Sequence, residues 1–462
     1  MGGPEVYNLV TIGSIEEYRA VNGPQIRALR KIPISAWSYP CRGFAAYGSR
    51  KNSQVVLPDV SPIREFESGL KSIWNELEIT DVDNLPPTIW VKDPLIGERD
   101  ALDHVILQDL EGFRKQLYQG VSRFCIIPHA NTPEVSQWSE LLKKEYGIET
   151  ELTAAPKPYE YPNIFDRSGF SNFANRNNLP VPYSRVAMNK LQLIEAYEDV
   201  TSQSGNKVVW AKLAATGGGL GINRVSSAGE VDSLYEKFNS LGILKLYDQD
   251  IPWEMQTHVD NILAVCSWDY HGNKSITPGD FTIQYMNQND SSSWIGNRYN
   301  TTPLDIPEEV VNSIVRDLKI RTTTALIKEL GSNHKYMGGF DFAITKDEQS
   351  NYDGVILEHN GARMSDSVTQ IEAARSLGIN NHNPFLAIKL GPAYCGINEF
   401  WQFLKKEGLS YNHGGQGVIP FVWFEDGNNG YASVIISAFD YGQMIRLYDL
   451  SINAMTSEGM IK

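Results

Sequence analysis

A carboxylate, an amide and a guanidinium follow a short apolar run in VILEHNGARMS, residues 355–365. The run VIL is typical of a buried strand, and side chains along a strand alternate between its two faces. Glu358 and Asn360 therefore share one face, and His359 takes the other. Two oxygen-bearing side chains on one face could hold a hard cation. Taken alone, the stretch favours a polar strand end with a turn at Gly361, so other motifs must decide.

A further carboxylate lies upstream, in the stretch GGFDFAI. This stretch is a strand pattern that precedes the strand of Glu358, and it carries Asp341 between aromatic neighbours. If the two strands pair, Asp341, Glu358 and Asn360 converge on one point. Two carboxylates and an amide oxygen form a suitable partial shell for Mg²⁺, which phosphate oxygens and water would complete. Without a cation, two carboxylates held so close would repel each other.

A run of glycines separates two apolar stretches earlier in the chain. TGGGLG, residues 216–221, lies between KVVWAKLAA and INRVSS, and this pattern predicts a β-hairpin with a glycine tip. Glycines allow backbone N–H groups to approach phosphate oxygens closely. No Gly-Lys-Ser/Thr opens a helix here, so the motif is not a P-loop. A plain glycine turn is the alternative interpretation.

Lys212 lies inside the apolar run VVWAKLAA, four residues before Thr216. A lysine is costly to bury in such a strand unless an anion meets it. From this position its ammonium group could reach a phosphate beneath the glycine loop. The alternative is that the side chain extends to solvent along the protein surface.

The elements around these motifs change character along the chain. Residues 6–13 and 123–130 are strand patterns, and the second is followed by a helix pattern in which Pro133 suits the first turn and Gly147 the end. This alternation predicts an α/β region. Three prolines in TAAPKPYEYPNIFD then predict a connection.

The second half of the chain contains one long helix pattern and several strand patterns. Apolar residues recur at helical spacing through residues 307–331. Two strands follow, MGGFDFAIT and GVILEHN. From about residue 385 a third region begins, in which DGNNG separates two β-rich runs and predicts a hairpin.

Composition limits the classes of function. The chain has 462 residues, enough for two to four domains, and a formal net charge of −14, which argues against a nucleic-acid partner. No apolar run approaches a membrane span, and no secretory signal is visible, so no membrane partner is expected. The four cysteines are far apart and lack metal-finger or redox spacing. These features predict a cytoplasmic protein.

Seven motifs occur in the order found in ATP-grasp ligases, and the chain resembles that family between about residues 160 and 370: DRSGF, LPVP, VVWAK, TGGGLG, WEMQ, GFDF and EHN. The resemblance implies an α/β and α+β protein with the ATP-grasp fold. An N-terminal Rossmann-like pre-ATP-grasp domain would span residues 1–160 and the core 161–385. The core would divide into a glycine-lid subdomain, about 183–255, and a metal-site subdomain, about 256–385. Residues 386–462 would form a small β-rich extension, which resembles that of peptide ligases in natural-product pathways.

The resemblance also implies roles for individual residues. Those expected to contact ATP are Arg167, Lys212, Gly217, Gly218, Gly219, Gly221, Glu254, Met255, Gln256 and Thr257, with Asp260 and Asn261 as candidates for the ribose contact. Arg167 stands where the family has its first lysine. Asp341, Glu358 and Asn360 would hold Mg²⁺, with Mn²⁺ as an alternative ion.

Two arginines are candidates for charge stabilisation during transfer. Arg363 follows the E-x-N motif as in many family members, where it steadies the acyl phosphate. Arg298, in SSSWIGNRYN, is the second candidate, and a solvated loop arginine is the alternative interpretation. Gly339 stands two residues before Asp341, where some members have an arginine, so one of these two residues would have to supply that charge.

The expected reaction joins a carboxylate to an amine with ATP, through an acyl phosphate, and releases ADP and phosphate. The substrates would be small molecules such as amino acids or short peptides. Two alternatives stay open: transfer of the acyl group to a carrier-protein thiol, and an inactive nucleotide-binding protein. The sequence identifies neither substrate and leaves the oligomeric state open, with a homodimer as the commonest assembly.

Overall fold

The computed structural model describes most of the chain, in these ranges: 7–11, 38–92, 102–129, 133–152, 167–214, 221–240, 244–246, 249–273, 275–286, 294–303, 305–331, 335–361, 364–379, 382–412, 415–426 and 430–461. Three larger sheets and one short strand pair organise these residues. No helix of the described ranges is long and apolar enough to cross a membrane.

The first sheet is parallel and has the strand order β3-β2-β1-β4-β5. Its strands are β1 Tyr7–Thr11, β2 Ser53–Pro58, β3 Ile89–Val91, β4 Arg123–Pro128 and β5 Glu149–Leu152. The helices of this region are α1 Ser38–Tyr47, α2 Ser61–Glu76, α3 Leu102–Gln108, α4 Leu110–Gln116 and α5 Pro133–Tyr146. Gly147 follows α5 at φ +67°, the left-handed conformation that ends many helices. The predicted α/β character of this region is confirmed.

The second sheet is antiparallel, with the order β6-β11-β7-β8. Its strands are β6 Ser184–Ala187, β7 Val209–Leu213, β8 Ile222–Val225 and β11 Trp253–Thr257, and the short pair β9 Lys245–Leu246 and β10 Gln249–Asp250 precedes the last of them. Helices α7 Lys190–Ser204 and α8 Ala228–Ser240 share a core with one face of the sheet. The antiparallel pairing of β7 with β8 confirms the predicted hairpin.

The third sheet is antiparallel and has eight strands, in the order β16-β15-β12-β13-β14-β17-β19-β18. These strands are β12 Ile262–Asn273, β13 Thr277–Met286, β14 Trp294–Tyr299, β15 Lys335–Lys346, β16 Tyr352–Gly361, β17 Phe385–Gly391, β18 Gly417–Phe424 and β19 Tyr431–Ser437. One face shares a core with α6 Arg167–Arg176 and α9 Glu308–Leu330, and the remaining helices are α10 Asp366–Ser376, α11 Ile397–Lys406 and α12 Tyr441–Ser457.

The C-terminal strands are continuous with this third sheet. β14 pairs with β17, which pairs with β19, so the strands of the predicted C-terminal extension continue the sheet that contains β15 and β16. β18 and β19 form the hairpin expected around DGNNG. The boundary at residues 385–386 stays a prediction.

The N-terminal helices pack against this C-terminal half. Phe44 of α1 and Trp74 of α2 belong to the same buried cluster as Phe400 of α11 and Trp423 of β18. A Cβ atom at Gly69 in α2 would collide with Ile397 Cγ2, so the Ile397 side chain packs directly on the backbone of α2. The first and last parts of the chain therefore share one core.

Candidate functional site

The three predicted metal-binding residues lie together on one face at the end of the β15–β16 pair. Asp341 pairs directly with Glu358, and Asn360 pairs with Gly339, two residues away on the same face. Asn360 Nδ2 donates a hydrogen bond to Asp341 Oδ2 at 3.0 Å. The structure thus brings two carboxylates and one amide to a single strand end.

His359 points to the opposite face, as the strand alternation predicts. Its Nε2 atom lies 2.7 Å from the hydroxyl of Tyr270, and its ring stacks on Phe340 with 4.4 Å between centroids. Both neighbours belong to the buried core beneath the sheet. This packing anchors the strand, so that Glu358 and Asn360 are presented on the other side.

A β-bulge brings the two antiparallel sheets into contact beside these residues. Glu358 pairs with Asp341 and Ile356 pairs with Phe342, which leaves Leu357 as the extra residue of β16. The Leu357 carbonyl accepts a hydrogen bond from Lys212 Nζ at 3.2 Å. Lys212, on β7 of the second sheet, therefore reaches β16, the strand of Glu358 and Asn360, directly.

The strand of the predicted adenine hinge divides its side chains between two faces. Met255 lies in the apolar core of the second sheet. Glu254 pairs with Lys212 in register, and Gln256 Oε1 accepts from Lys212 Nζ at 2.6 Å, so these polar residues share the other face. Ser171 Oγ donates to a Glu254 carboxylate oxygen. The side chains of the hinge are thus engaged within the protein.

The hinge strand is buried, and the chain becomes exposed only beyond it, at Asp260 and Asn261. Thr257 closes β11, where its N–H donates to the Tyr183 carbonyl at 2.9 Å. Asp260 is exposed, and one of its carboxylate oxygens lies 3.7 Å from His258 Nε2. Asn261, also exposed, has a φ of +55°. This geometry does not choose between Asp260 and Asn261 as the ribose contact.

Several predicted residues lie at the limits of what the structure describes. Gly217, Gly218, Gly219 and Arg363 fall outside the described residues. Arg167 begins α6, but its side chain is outside them too. Gly221, at φ +76°, leads into β8. The roles of these residues stay predictions.

Arg298 is not brought to the metal-site face. Across the sheet, Arg298 lies opposite Ile283, Ile283 opposite Cys266, and Cys266 opposite Phe342. These four residues form one row of paired positions, and Phe342 directly follows Asp341 along β15. Neighbouring residues of a strand point to opposite faces. Arg298 therefore points away from the carboxylates. Its face depends on the order of the strands in the sheet, which local sequence patterns do not reveal.

A buried carboxylate near the metal-site residues was not anticipated. Asp269 pairs with Gly339, and so stands in the row of Asn360. Its carboxylate accepts hydrogen bonds from the hydroxyls of Ser365 and Ser367, just before and within α10. In AVCSWDYHG, the polar residues Ser267 and Asp269 alternate with apolar ones, and this pattern could have identified the carboxylate from the sequence.

Gly339 makes room for this carboxylate. A Cβ atom at Gly339 would lie 2.7 Å from Asp269 Oδ1 and 3.2 Å from the Trp268 carbonyl oxygen. A side chain at this position would therefore collide with the group held by the two serines. A glycine at this position thus has a steric reason in this chain.

A second unanticipated cluster lies where the N-terminal region meets α10. The Arg42 guanidinium of α1 forms an ion pair with Asp366 and donates to the Tyr431 hydroxyl at 2.7 Å. Lys389 Nζ lies 5.3 Å from the centre of the Tyr431 ring. Burial lowers the pKa of His129 to about 4, while Asp366 raises it and Arg42 lowers it further. His129 is therefore neutral at pH 7.

No model of a protein family matches the chain, and no curated protein matches it. The chain is similar to solved structures. N5-carboxyaminoimidazole synthase from Aspergillus clavatus, in complex with ADP and 5-aminoimidazole ribonucleotide, matches with a TM-score of 0.52 and 10% identity, over 98% of this chain and 99% of that chain. Biotin carboxylase from Campylobacter jejuni, in a β-γ-ATP complex, matches with a TM-score of 0.54 and 12% identity, over 95% and 89%.

The biotin carboxylase domain of 2-oxoglutarate carboxylase from Hydrogenobacter thermophilus, a dimer in complex with MgADP, ADP and bicarbonate, matches with a TM-score of 0.51 and 13% identity, over 95% of this chain and 87% of that chain. At these identities the likeness shows the fold. The chain has the ATP-grasp fold, which confirms the predicted fold class.

Proposed function

We propose that this chain is an ATP-dependent ligase that joins a carboxylate to an amine and releases ADP and phosphate. The observation that carries the proposal is that three predicted metal ligands lie close to one buried lysine. Asp341, Glu358 and Asn360 share one face of a strand pair, and Lys212 reaches the adjoining bulge from the neighbouring sheet. Similar structures with ATP or ADP bound support a nucleotide site in this fold.

The donor set fits a hard cation. Within the described residues, no group of three or more His, Cys, Asp and Glu side chains is arranged to hold a metal ion. The proposed set has two carboxylates and an amide oxygen, which suits Mg²⁺ because that ion keeps several waters and shares phosphate oxygens with its substrate. Mn²⁺ accepts the same donors. When bound, the ion would neutralise negative charge on the phosphates of ATP.

The chain's own residues supply positioning and positive charge. Lys212 is 6% exposed and already points its ammonium group at the bulge beside Glu358, so an ATP phosphate there would replace a neutral carbonyl as its partner. The backbone of Glu254, Met255, Gln256 and Thr257 would line the adenine. The glycines of residues 216–221 would cover the phosphates, and Arg167 would add charge.

The substrate carboxylate would attack the γ-phosphorus, and the bond from that phosphorus to the bridging oxygen of ADP would break. The resulting acyl phosphate would then be attacked by an amine, which loses a proton as phosphate departs. Arg363 would steady the acyl phosphate. Catalysis of this kind rests on positioning and electrostatic stabilisation. Closure of the glycine hairpin would keep water from the intermediate.

The decisive experiment is a screen for ADP and phosphate release. Amino acids and short peptides are offered in pairs with MgATP, and bicarbonate is included as a carboxylate because one similar structure holds it. Release that requires an amine supports the proposal, and release that requires a thiol carrier supports transfer to a carrier protein. No ADP formation with any pair would favour an inactive nucleotide-binding protein.

Two variants make the screen specific. Glu358→Gln should abolish turnover and leave the fold intact, because it removes a ligand charge and no core. Glu348→Gln, an exposed change of the same type, is the matched control and should turn over normally. Near-normal ADP formation by the Glu358 variant would contradict the proposed metal site.

A further inference from the structure

Arg298 lies on the far side of the eight-stranded sheet from Asp341, Glu358 and Asn360. Tyr285 is two residues beyond Ile283, the pairing partner of Arg298, so Tyr285 and Arg298 point to the same face. Tyr441 and Tyr448 of α12 cover them. All four side chains are partly buried. The Arg298 side chain thus lies between strands β13 and β14 and the last helix.

The guanidinium of Arg298 has few hydrogen-bond partners in the protein. Among the described residues it makes one hydrogen bond, from Nη1 to the Tyr441 hydroxyl at 2.6 Å, and no ion pair. Its Nε atom is shielded from solvent and has no hydrogen-bond partner. A shielded donor without a partner destabilises the folded protein. Among the described residues, no acceptor thus satisfies the edge formed by Nε and Nη2.

The tyrosines do not supply a compensating charge. Burial raises the pKa of Tyr448 to about 12, and burial also raises the pKa of Tyr285 although Arg298 lowers it. Both hydroxyls are therefore neutral at pH 7. The Tyr285 and Tyr448 rings meet edge to face with 5.8 Å between centroids, so they form an apolar wall. A cation beside such a wall strongly favours an anionic partner.

The first turn of α12, which carries Tyr441, contains a second polar atom without a partner. Gln443 Oε1 is shielded from solvent and accepts no hydrogen bond. Its backbone N–H is used by the Asp440 side chain, which caps α12. A donor on Arg298 and an acceptor on Gln443 are thus both unsatisfied at the start of this helix.

We propose that Tyr285, Arg298, Tyr441 and Tyr448 form a second binding site, for a small carboxylate or phosphate anion. The anion lies side-on against Nε and Nη2 of Arg298, which is the bidentate geometry that guanidinium groups offer to both chemistries. Tyr441 holds Nη1 and so fixes the plane of the fork. The site is separate from the proposed ATP site, because the sheet itself lies between them.

Titration calorimetry on the full chain tests the site, with sodium malonate and sodium phosphate as probes in chloride buffer of constant ionic strength. The wild type should bind at least one probe saturably, and which probe binds assigns carboxylate or phosphate chemistry. Arg298→Met should weaken that binding by about ten- to a hundred-fold, the effect expected for loss of a charge-assisted pair. Arg176→Met, an exposed arginine on α6, is the charge-matched control and should bind as the wild type does.

Two further variants keep the test decisive. The titrations are repeated in a Lys212→Met background, in which any anion bound beside the nucleotide lysine is lost and the Arg298 site is retained. Arg298→Lys keeps the charge without the side-on pair, and should also bind weakly if the methionine variant fails to fold. Unchanged affinity in folded Arg298 variants, or no saturable binding of either probe by the wild type, would overturn the proposal. ADP formation by Arg298→Met, measured in parallel, separates this site from the proposed ligase reaction.

Discussion

At the scale of single residues, Lys212 shows how a buried cation is accommodated before any nucleotide binds. The sequence indicated that this lysine is costly to bury without an anion, and the structure gives it hydrogen bonds to Gln256 Oε1 and to the Leu357 carbonyl. The carbonyl is available because a bulge releases it from the strand ladder. Lys212 is therefore both a structural bridge and the proposed phosphate contact.

Lys212→Met should change both properties. Loss of the donor leaves a buried amide and a buried carbonyl with one partner fewer, so the free energy of unfolding should fall by about 1–3 kcal/mol in denaturant titrations. ATP affinity, measured by calorimetry, should fall about ten- to a hundred-fold. Lys207→Met, an exposed change two residues before β7, is the control. Unaltered ATP affinity in the Lys212 variant would exclude the phosphate contact.

At the scale of elements, sequence periodicity was reliable for local structure. Alternation within short stretches predicts the pairing of β7 with β8, the pairing of the strands of Asp341 and Glu358, and the split of Glu358 and Asn360 from His359. All three are observed. What escaped prediction depends on distant pairing. The face of Arg298 is set by rows that run across four strands, and a single bulge residue at Leu357 decides what Lys212 contacts. Neither the order of the strands nor the position of the bulge can be read from the local sequence.

Gly339→Ala tests how tightly β12, β15 and β16 are fitted. The new methyl group would meet Asp269 Oδ1 at 2.7 Å, a group held by two serines, so stability should fall by about 1–3 kcal/mol and turnover should drop with it. Gly396→Ala is the control, because nothing lies within 4 Å of its Cβ position.

A double variant refines this prediction. Asp269→Ala combined with Gly339→Ala should lose less stability than the sum of the two single changes, because the collision is removed. Additive losses in denaturant titrations would show that the strain at Gly339 comes from another neighbour.

At the scale of the whole molecule, the contact between α1 and α10 joins the N-terminal region to the core. The Arg42 and Asp366 side chains are only 7% and 23% exposed, so Arg42→Met leaves a largely buried carboxylate without its ion pair. Unfolding free energy should fall by about 3 kcal/mol. Arg64→Met breaks a pair that is 50% and 42% exposed and should cost less than about 1 kcal/mol. Equal losses in denaturant titrations would mean that the buried pair adds little to docking.

The same contact makes the fold sensitive to mild acid. The pKa of His129 is lowered from 6.5 to about 4 by burial, so between these values the unfolded chain binds a proton that the folded chain does not. The contribution of His129 to stability is therefore complete above pH 6.5 and declines as pH falls toward 4, by about 3 kcal/mol at most. Asp366 and Arg42 face this histidine and have opposite effects on its pKa, because Asp366 raises it and Arg42 lowers it.

His129→Asn should flatten this part of the stability profile. Denaturant titrations at pH 7, 5.5 and 4.5 should show a smaller loss for the variant than for the wild type. His271→Asn, a change at an exposed histidine, should follow the wild-type curve. A His129→Asn curve that falls in parallel with the wild type would assign the acid sensitivity to other groups.

The core that joins the first helices to the last strands has a consequence during synthesis on the ribosome. Phe44, Phe66 and Trp74 emerge early, but their partners Phe400 and Trp423 are translated more than 300 residues later. At about 5–20 residues per second, the ribosome needs roughly 15–65 seconds to supply them. Throughout that interval the nascent chain displays an unfinished apolar surface. A chain that stops at residue 385 keeps that surface permanently, so the ribosome must pass Trp423 before the N-terminal region can complete its folding.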